Sequence, residues 1–275
     1  MTHFPRIAIL GAGSMGGAIL SGLVQSGAET DGITVTNRSE DKAAGLRSLA
    51  GVTSLSAETT PDANRAAVSG ARVVLVAVKP AMVPDLLTEL RDAFEPDAVI
   101  VSVAAGVTIA TMEGLVPQAV FRSMPNTPSI VRRGVTGLAA GARASADDTA
   151  LVRALFETVG AVVEVPEEKM NALSTISGSG PAYVFFLIER LTEAARNLGF
   201  DEAQARLMVE QTFLGASELL AVSDVGPEEL RRRVTSPKGT TERAIAEIAA
   251  ADLTAVFDRA TASAIARAEE MARGE

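Results

Sequence analysis

Residues 6–17 read RIAILGAGSMGG, a short apolar run followed at once by a glycine-rich turn. The spacing of Gly11, Gly13 and Gly16 is G-x-G-x-x-G. In this pattern the first glycine permits a tight turn, the second lets a phosphate approach the backbone, and the third lets strand and helix pack closely. A strand is predicted before the turn, and a helix is predicted to start near Met15. The segment therefore predicts a pyrophosphate site on the free N–H groups of a helix N-terminus.

Short apolar runs alternate with amphipathic segments over the first part of the chain. Strands are predicted at residues 6–10, 33–37, 72–78, 98–103, 119–122, 135–139 and 161–165. Several are rich in Val and Ile without alternation, as strands buried on both faces are. A helix is predicted over 146–159, with Ser145 as its N-cap and Gly160 after its end. This order predicts an α/β fold with a Rossmann-type, doubly wound parallel sheet.

The chain after Val165 has no strand pattern. Helices are predicted at roughly 167–176, 181–198, 202–222, 227–233, 241–250 and 252–273. The helices at 181–198 and 202–222 are apolar almost all round, and such helices are buried on every side. Since a helical segment of about 110 residues cannot easily provide that burial alone, a second subunit is expected to cover it. We predict an NADP-binding Rossmann domain over 1–165 and an all-α substrate-binding and dimerisation domain over 166–275.

The composition excludes several classes of function. Apolar residues make up 47% of the 275, enough for a packed core, and the net charge of −9 argues against a nucleic-acid surface. The chain has no cysteine, and its only histidine is His3. A thiol nucleophile, a His-based triad and a His- or Cys-rich metal site are therefore excluded, and no metal is predicted. No signal peptide or run of about 18 apolar residues is visible, so we expect a cytoplasmic protein with no membrane partner.

The end of the second strand bears on the choice of nucleotide. NAD-specific folds usually end this strand with Asp or Glu, whose carboxylate binds the ribose 2′-hydroxyl. Here the strand ends in Asn37, Arg38 and Ser39. The strand end has no carboxylate that would repel a 2′-phosphate, and the guanidinium of Arg38 can bind such a phosphate. This predicts NADPH as the cofactor, with NADH as an alternative; the other interpretation of Arg38 is an ordinary surface arginine.

Three further strands end in segments that suit a flat ring. They run into Lys79-Pro80, into Ala104-Ala105-Gly106 and into SMPNTP at 123–128. Prolines hold the backbone extended there, and small residues leave room. Because ligands of such sheets lie beyond the carboxyl ends of the strands, these segments predict the wall of a nicotinamide pocket.

Six segments occur together along the chain: GAGSMG (11–16), AVKP (77–80), SVAAG (102–106), RSMPNTP (122–128), SGSGPAYVF (177–185) and VTSPKGTT (234–241). Their order and approximate spacing resemble those of the pyrroline-5-carboxylate reductases over nearly the whole chain. The resemblance implies reduction of Δ1-pyrroline-5-carboxylate to L-proline with NAD(P)H, the last step of proline biosynthesis. It also implies a C-terminal helical domain that interlocks with a partner in a homodimer, and dimers that can assemble further.

Ligand contacts follow from the resemblance and from the strand ends. Cofactor contacts are expected at Gly11, Ala12, Gly13, Ser14, Met15, Gly16, Asn37, Arg38, Ser39, Asn64, Ala77, Val78, Lys79, Pro80, Ala105, Gly106 and Asn126. Substrate contacts are expected at Ser236, Gly239, Thr240 and Thr241, and the match puts the catalytic Thr241 hydroxyl beside the ring nitrogen. The commonest family pattern has glycine where this chain has Lys238.

A site without histidine suits this reaction, because a cyclic imine is basic enough to carry its own proton and the protein mainly has to orient two reactants. The N–H groups of Gly239 and Thr240, at a predicted helix start, are expected to bind the substrate carboxylate. Two alternatives stay open: an NADP-binding regulatory protein of the same fold, and a related imine or β-hydroxyacid reductase. Lys169 and Asn171 are two residues apart rather than one helical turn, which counts against a hydroxyacid enzyme.

Overall fold

The computed structural model of the protein describes residues 3–273. Its strands are β1 His3–Phe4, β2 Ile7–Leu10, β3 Glu29–Thr30, β4 Ile33–Asn37, β5 Val52–Ser56, β6 Val73–Val76, β7 Val99–Ser102, β8 Ala119–Met124, β9 Gly134–Ala140 and β10 Gly160–Glu164. Its helices are α1 Ser14–Ser26, α2 Glu40–Leu46, α3 Ala63–Val68, α4 Val83–Leu90, α5 Ile109–Leu115, α6 Ala146–Glu157, α7 Met170–Leu173, α8 Gly180–Asn197, α9 Glu202–Val222, α10 Pro227–Arg233, α11 Thr240–Ala250 and α12 Leu253–Arg273.

Eight strands form one sheet in the order β10-β9-β8-β7-β6-β2-β4-β5. The chain runs from β2 outward to β5 and then returns on the other side of β2 as β6. The strand order therefore reverses between β2 and β6, and ligands of doubly wound sheets bind at such a switch point. The doubly wound α/β fold is thus confirmed.

One junction departs from the predicted parallel sheet. β8 and β9 are antiparallel, whereas the other neighbours in the sheet are parallel. Between them lies only a short connection with a 3-10 helix at Thr127–Val131. A parallel return needs a crossover of a dozen or more residues, so a connection this short brings the chain back in the opposite direction.

Side chains of the central strands alternate between two apolar clusters. Ile7 and Ile9 of β2 pack with residues of α1 and α6, and Ala8 and Leu10 pack with residues of α3, α4 and α5. All four are fully buried. Helices on both faces explain why the strands are continuous apolar runs without polar alternation.

Several element ends follow local sequence signals. Ser145 caps α6 as predicted, and its partner in a capping box is Asp148. The predicted helix over 167–176 is instead a 3-10 segment at Glu167–Lys169, the short α7 and a π-helical segment at Ser174–Gly178. β5 was not predicted because its sequence, VTSLS, is half polar and lies at the sheet edge.

The chain forms two compact units, one of residues up to Ser179 with the segment from Ile265, the other of Gly180–Ala264. The second unit is entirely helical. In α8 no residue is buried, and in α9 only Ala205 and Val209 are. The exposed apolar side chains of these two helices include Val184, Phe185, Phe186, Leu187, Leu191, Leu207, Met208, Leu214, Leu219 and Leu220. An apolar surface of this kind is typical of an interface with another chain.

No helix between residues 3 and 273 combines the length and apolar character needed to cross a membrane.

Candidate cofactor and substrate sites

The turn after β2 has the shape that its glycines predict. Gly11 has a φ of +92°, and a β-carbon there would lie 3.0 Å from the carbonyl oxygen of Ala77. A β-carbon on Gly16 would collide with the carbonyl oxygen of Gly11, whereas one on Gly13 would meet no atom within 4 Å. The first and third glycines are therefore required by the turn and its packing, and the second leaves open space for a ligand.

The N-terminus of α1 offers unused hydrogen-bond donors. Its N-cap, Gly13, has no side chain, and its first turn contains no acidic residue. In the described part of the chain the backbone N–H groups of Ser14 and Met15 have no acceptor. Free N–H groups at the positive end of a helix are the usual ligands of a phosphate, so this turn fits a pyrophosphate.

Asn37, Arg38 and Ser39 lie beside this turn, because β4 pairs with β2. Asn37 is 6% exposed, and its Nδ2 has no hydrogen-bond partner between residues 3 and 273. A buried donor left unpaired costs about 1–3 kcal/mol, which a bound ligand would offset. Arg38 is exposed and forms no ion pair with any described residue, and the Ser39 hydroxyl does not cap α2. These open polar groups fit a phosphorylated ribose.

The predicted wall segments meet at one cavity of about 360 Å³. Pro80 follows β6, Ala105 and Gly106 follow β7, and Met124 ends β8. Ala77 and Val78 are half-buried, and Lys79 is exposed. The structure therefore brings three separated strand ends together, in a space large enough for a flat ring.

Asn126 and Asn64 differ in how their side chains are used. The Nδ2 of Asn126 donates to the carbonyl oxygen of Ser177 at 2.9 Å, and its Oδ1 accepts from the Val135 N–H at 2.8 Å. This buried amide connects the loop after β8 to the SGSG segment. These hydrogen bonds give Asn126 a structural role that requires no cofactor contact. Asn64 lies half-buried on α3, with no side-chain hydrogen bond to another described residue. Cofactor contacts at both remain predictions.

Arg122 is a buried cation in the cavity wall and was not among the predicted site residues. It is 5% exposed and donates to Glu167 Oε1 and Asn171 Oδ1, each at 3.2 Å. Glu167 Oε1 also accepts from the Ile109 N–H at 2.8 Å. The sequence feature that could have identified Arg122 is a charged residue within a mostly apolar strand. Such a charge is expected to have a partner, because a buried charge without one is costly.

The segment between α10 and α11 contains a tight turn. The Gly239 N–H donates to the Ser236 carbonyl oxygen at 3.0 Å, which closes a four-residue turn with Pro237 second. Lys238, third, has a φ of +59°. Proline at the second position and a positive φ at the third are the features of a type II turn. Lys238 therefore adopts the backbone conformation that a glycine would adopt there.

The expected anion site has one donor that the turn already uses. The Gly239 N–H donates to the Ser236 carbonyl oxygen, so its binding to the substrate carboxylate stays a prediction. The Thr240 and Thr241 N–H groups, at the start of α11, have no acceptor in the described part of the chain. They are the donors available to an anion.

The hydroxyl groups of this turn are unused. Those of Ser236, Thr240 and Thr241 make no hydrogen bond to any described residue. By contrast, the hydroxyls of Thr192, Thr212 and Thr235 in the same unit donate to carbonyl oxygens four residues earlier in the chain. The backbone N–H groups of Thr240 and Thr241 and three hydroxyls therefore remain open within six residues, a set suited to a small carboxylate.

Two of the three arginines before the turn, Arg232 and Arg233, form ion pairs with Glu229. Hydrogen bonds from Arg233 and Arg232 hold the pKa of Glu229 below its usual range. The Lys238 N–H donates to Glu242 Oε2 at 2.7 Å. The arginine run before the turn forms the last turn of α10, as expected for cations near a helix C-terminus.

Comparison with known proteins identifies both halves of the chain. Residues 167–271 match a family model described as pyrroline-5-carboxylate reductase dimerisation, and residues 6–106 match one described as NADP oxidoreductase coenzyme F420-dependent. A pyrroline-5-carboxylate reductase of Pseudomonas aeruginosa is 38% identical over 98% of this chain and 97% of its own.

Two solved structures agree with this match. A pyrroline-5-carboxylate reductase from Coxiella burnetii has a TM-score of 0.89 and 38% identity, covering 96% of this chain and 97% of its own. The Plasmodium falciparum pyrroline carboxylate reductase, solved with NADP bound, has a TM-score of 0.78 at 22% identity, covering 97% and 98%. At that identity the second structure supports the fold alone.

Proposed function

This chain belongs to the pyrroline-5-carboxylate reductase family, and we propose that it reduces the C=N bond of Δ1-pyrroline-5-carboxylate to give L-proline, with NADPH as the reductant. This is the last step of proline biosynthesis. One observation supports the proposal above the others: the 236–241 turn combines three unused hydroxyls with the unused backbone donors of Thr240 and Thr241, a set that a small carboxylate would satisfy.

The cofactor side is supported by groups that are open for a nucleotide. Ser14 and Met15 present backbone donors for the pyrophosphate, and Arg38 with Ser39 would hold a 2′-phosphate. NADPH, when bound, supplies the hydride. Pro80 and Gly106 would form part of the surface against which the nicotinamide ring is held. The Asn37 amide, buried and without an acceptor, supports a ligand at this end of the sheet.

The substrate side is proposed to bind the carboxylate and to steady the nitrogen. The Thr240 and Thr241 N–H groups and the Ser236 hydroxyl would bind the carboxylate at the positive end of α11. The Thr241 hydroxyl would hydrogen-bond the ring nitrogen as it becomes an amine. Because the iminium form carries its own proton, no acidic side chain is required to protonate the ring nitrogen. Orientation of two reactants is then the main catalytic term, worth up to about 7–11 kcal/mol in favourable cases.

The assembly is proposed from the helical unit. We propose that the exposed apolar surface of α8 and α9 is covered in a homodimer, and that dimers associate further. The match of residues 167–271 to a dimerisation model supports the dimer. We also propose that the enzyme acts in the cytoplasm.

The proposal is tested by following NADPH absorbance at 340 nm with the purified protein and Δ1-pyrroline-5-carboxylate. We expect oxidation that requires both the protein and the imine, with L-proline as the product. NADP⁺ binding is measured in parallel. Cofactor binding without turnover would contradict the proposal and favour a regulatory protein of the same fold.

A further inference from the structure

A carboxylate that the strand pattern did not predict lies beside the end of β4. Asn37 is paired with Ser56 in the β4–β5 register, and the Ala57 N–H donates to the Asn37 carbonyl oxygen at 2.9 Å. The chain after β5 therefore runs alongside the end of β4. There Glu58 Oε2 accepts a hydrogen bond of 2.9 Å from the backbone N–H of Glu40. The acidic group missing from the end of β4 is thus supplied by the β5–α3 loop.

The second carboxylate of this region is already paired. Arg47 donates to both carboxylate oxygens of Glu40, and Thr59 donates to one of them. The hydrogen bond from Arg47 outweighs the effect of burial and holds the pKa of Glu40 below its usual range. Glu58 is exposed and forms no ion pair with any residue from 3 to 273. Its negative charge is therefore unpaired. The carboxylate lies at the backbone of Glu40, the residue that follows Arg38 and Ser39.

We propose that Glu58 sets how strongly this chain prefers NADPH over NADH, an inference that rests on the proposed cofactor site. A 2′-phosphate bound by Arg38 and Ser39 would lie near this unpaired charge, and like charges a few ångströms apart repel. The adjacent Glu40 N–H already donates to the Glu58 carboxylate and is therefore not free to donate to the phosphate. Both effects lower the affinity for the phosphorylated cofactor.

The unphosphorylated cofactor would meet the same group differently. Glu58 can accept a hydrogen bond from a ribose 2′-hydroxyl, as the acidic residue at the end of the second strand does in NAD-binding folds. The Asn37 amide, nine-tenths buried and without an acceptor, independently indicates a ligand at this strand end. Arg38 and Glu58 thus act in opposite directions, and the preference for NADPH is weaker than the Asn-Arg-Ser sequence alone suggests.

The test compares Glu58→Gln and Glu58→Ala with wild type. NADP⁺ and NAD⁺ are titrated separately by calorimetry, which requires no turnover. Asp62→Asn is the control, since it removes an equal charge from the same loop at a residue with no hydrogen bond to Glu40. In Glu58→Gln we expect the Kd for NADP⁺ to fall about three- to tenfold and that for NAD⁺ to stay unchanged. In Glu58→Ala we expect NAD⁺ to bind a few-fold more weakly, because its hydroxyl loses an acceptor.

The result for Asp62→Asn should match wild type. An equal change for both cofactors in Glu58→Gln, or the same shift in Asp62→Asn, would overturn the inference. The wild type could fail to reduce the imine while Glu58→Gln still lowers the Kd for NADP⁺ alone. That result would overturn the proposed reaction and leave the role of Glu58 standing. The Kd values for the two cofactors therefore test the role of Glu58, and the imine-reduction assay tests the proposed reaction.

Discussion

Lys238 carries a side chain through a left-handed turn, with a φ of +59°. This conformation costs an ordinary residue about 1–2 kcal/mol, and glycine adopts it without that cost. The Gly239 N–H bond to Ser236 and the Glu242 bond to the Lys238 N–H hold the turn in place. The turn therefore keeps its shape despite the lysine.

Lys238→Gly should raise the free energy of unfolding by up to about 1 kcal/mol, the relieved strain less the added chain entropy of glycine. Urea denaturation at fixed protein concentration measures the change. Lys238→Ala keeps the β-carbon and should give no such gain. Equal gains in both variants would show that the lysine side chain, and not its backbone conformation, is responsible.

Thr241→Ala should lower kcat/KM for the imine by about 10- to 100-fold, the value of a hydrogen bond to a charged group. The Kd for NADP⁺ should stay within a factor of two of wild type, since Thr241 is proposed to contact only the substrate. Thr241→Ser keeps the hydroxyl and should retain most of the activity. Full activity in the alanine variant would remove Thr241 from the mechanism.

For individual residues, the sequence predicted some roles well and others incompletely. Gly11, Gly13 and Gly16 were predictable because backbone conformation and close approach allow few other residues. The use of the Gly239 N–H within its own turn was not predictable, because it depends on the backbone of Ser236. The Glu58 carboxylate was also missed, because strand pairing brings it to Glu40 from a different segment.

α6 shows how one helix start stabilises the first unit. Asp148 is 8% exposed, completes the capping box with Ser145 and forms an ion pair with Arg72. Burial raises the pKa of Asp148, but hydrogen bonds from Arg72 and Ser145 outweigh it and hold the pKa below the usual 3.8. The ionised carboxylate is therefore the form that the folded state favours.

Asp148→Asn should lower the free energy of unfolding by about 2–3 kcal/mol near neutral pH, through loss of the cap and of a buried charge partner. Because the folded pKa is lowered, this stabilisation is fully present above 3.8 and is lost as the pH falls through the folded value. Denaturation of wild type and variant from pH 7 to pH 3 should show the difference shrinking at the acid end.

Asp147→Asn, on the same turn, is the matched control and should change stability little. A difference between wild type and Asp148→Asn that stays constant down to pH 3 would exclude the ionised carboxylate as its cause.

The elements themselves were predictable to the extent that their signals are local. Buried strands such as β6 and β7 are short runs rich in Val with Leu or Ile, and Ser145 marks the start of α6 in the sequence. β5 lacks that signal because an edge strand needs only one apolar face. The reversed direction of β9 follows from how the chain returns after β8, which no residue pattern within β9 records.

At the scale of the whole molecule, the apolar surface of α9 is the feature that needs a partner. We expect the wild type to sediment as a dimer or a larger assembly at micromolar concentration. Leu220→Glu would place an unpaired charge in that surface and should raise the dimer dissociation constant at least about 100-fold.

Gln25→Glu adds the same charge to α1 of the first unit and should leave the sedimentation unchanged. A monomeric wild type, or an unaffected Leu220→Glu assembly, would contradict the proposed interface.

The proposed reaction transfers a hydride from NADPH to the imine carbon of Δ1-pyrroline-5-carboxylate. Two preparations of NADPH, deuterated on one or the other face of nicotinamide C4, are supplied in turn, and the proline is analysed by mass spectrometry. Because the ring is held on one fixed surface, one of the two preparations should give L-proline with a single deuterium at C5, and the other none. Unlabelled proline from both preparations, or no proline at all, would rule out direct hydride transfer from NADPH to the imine.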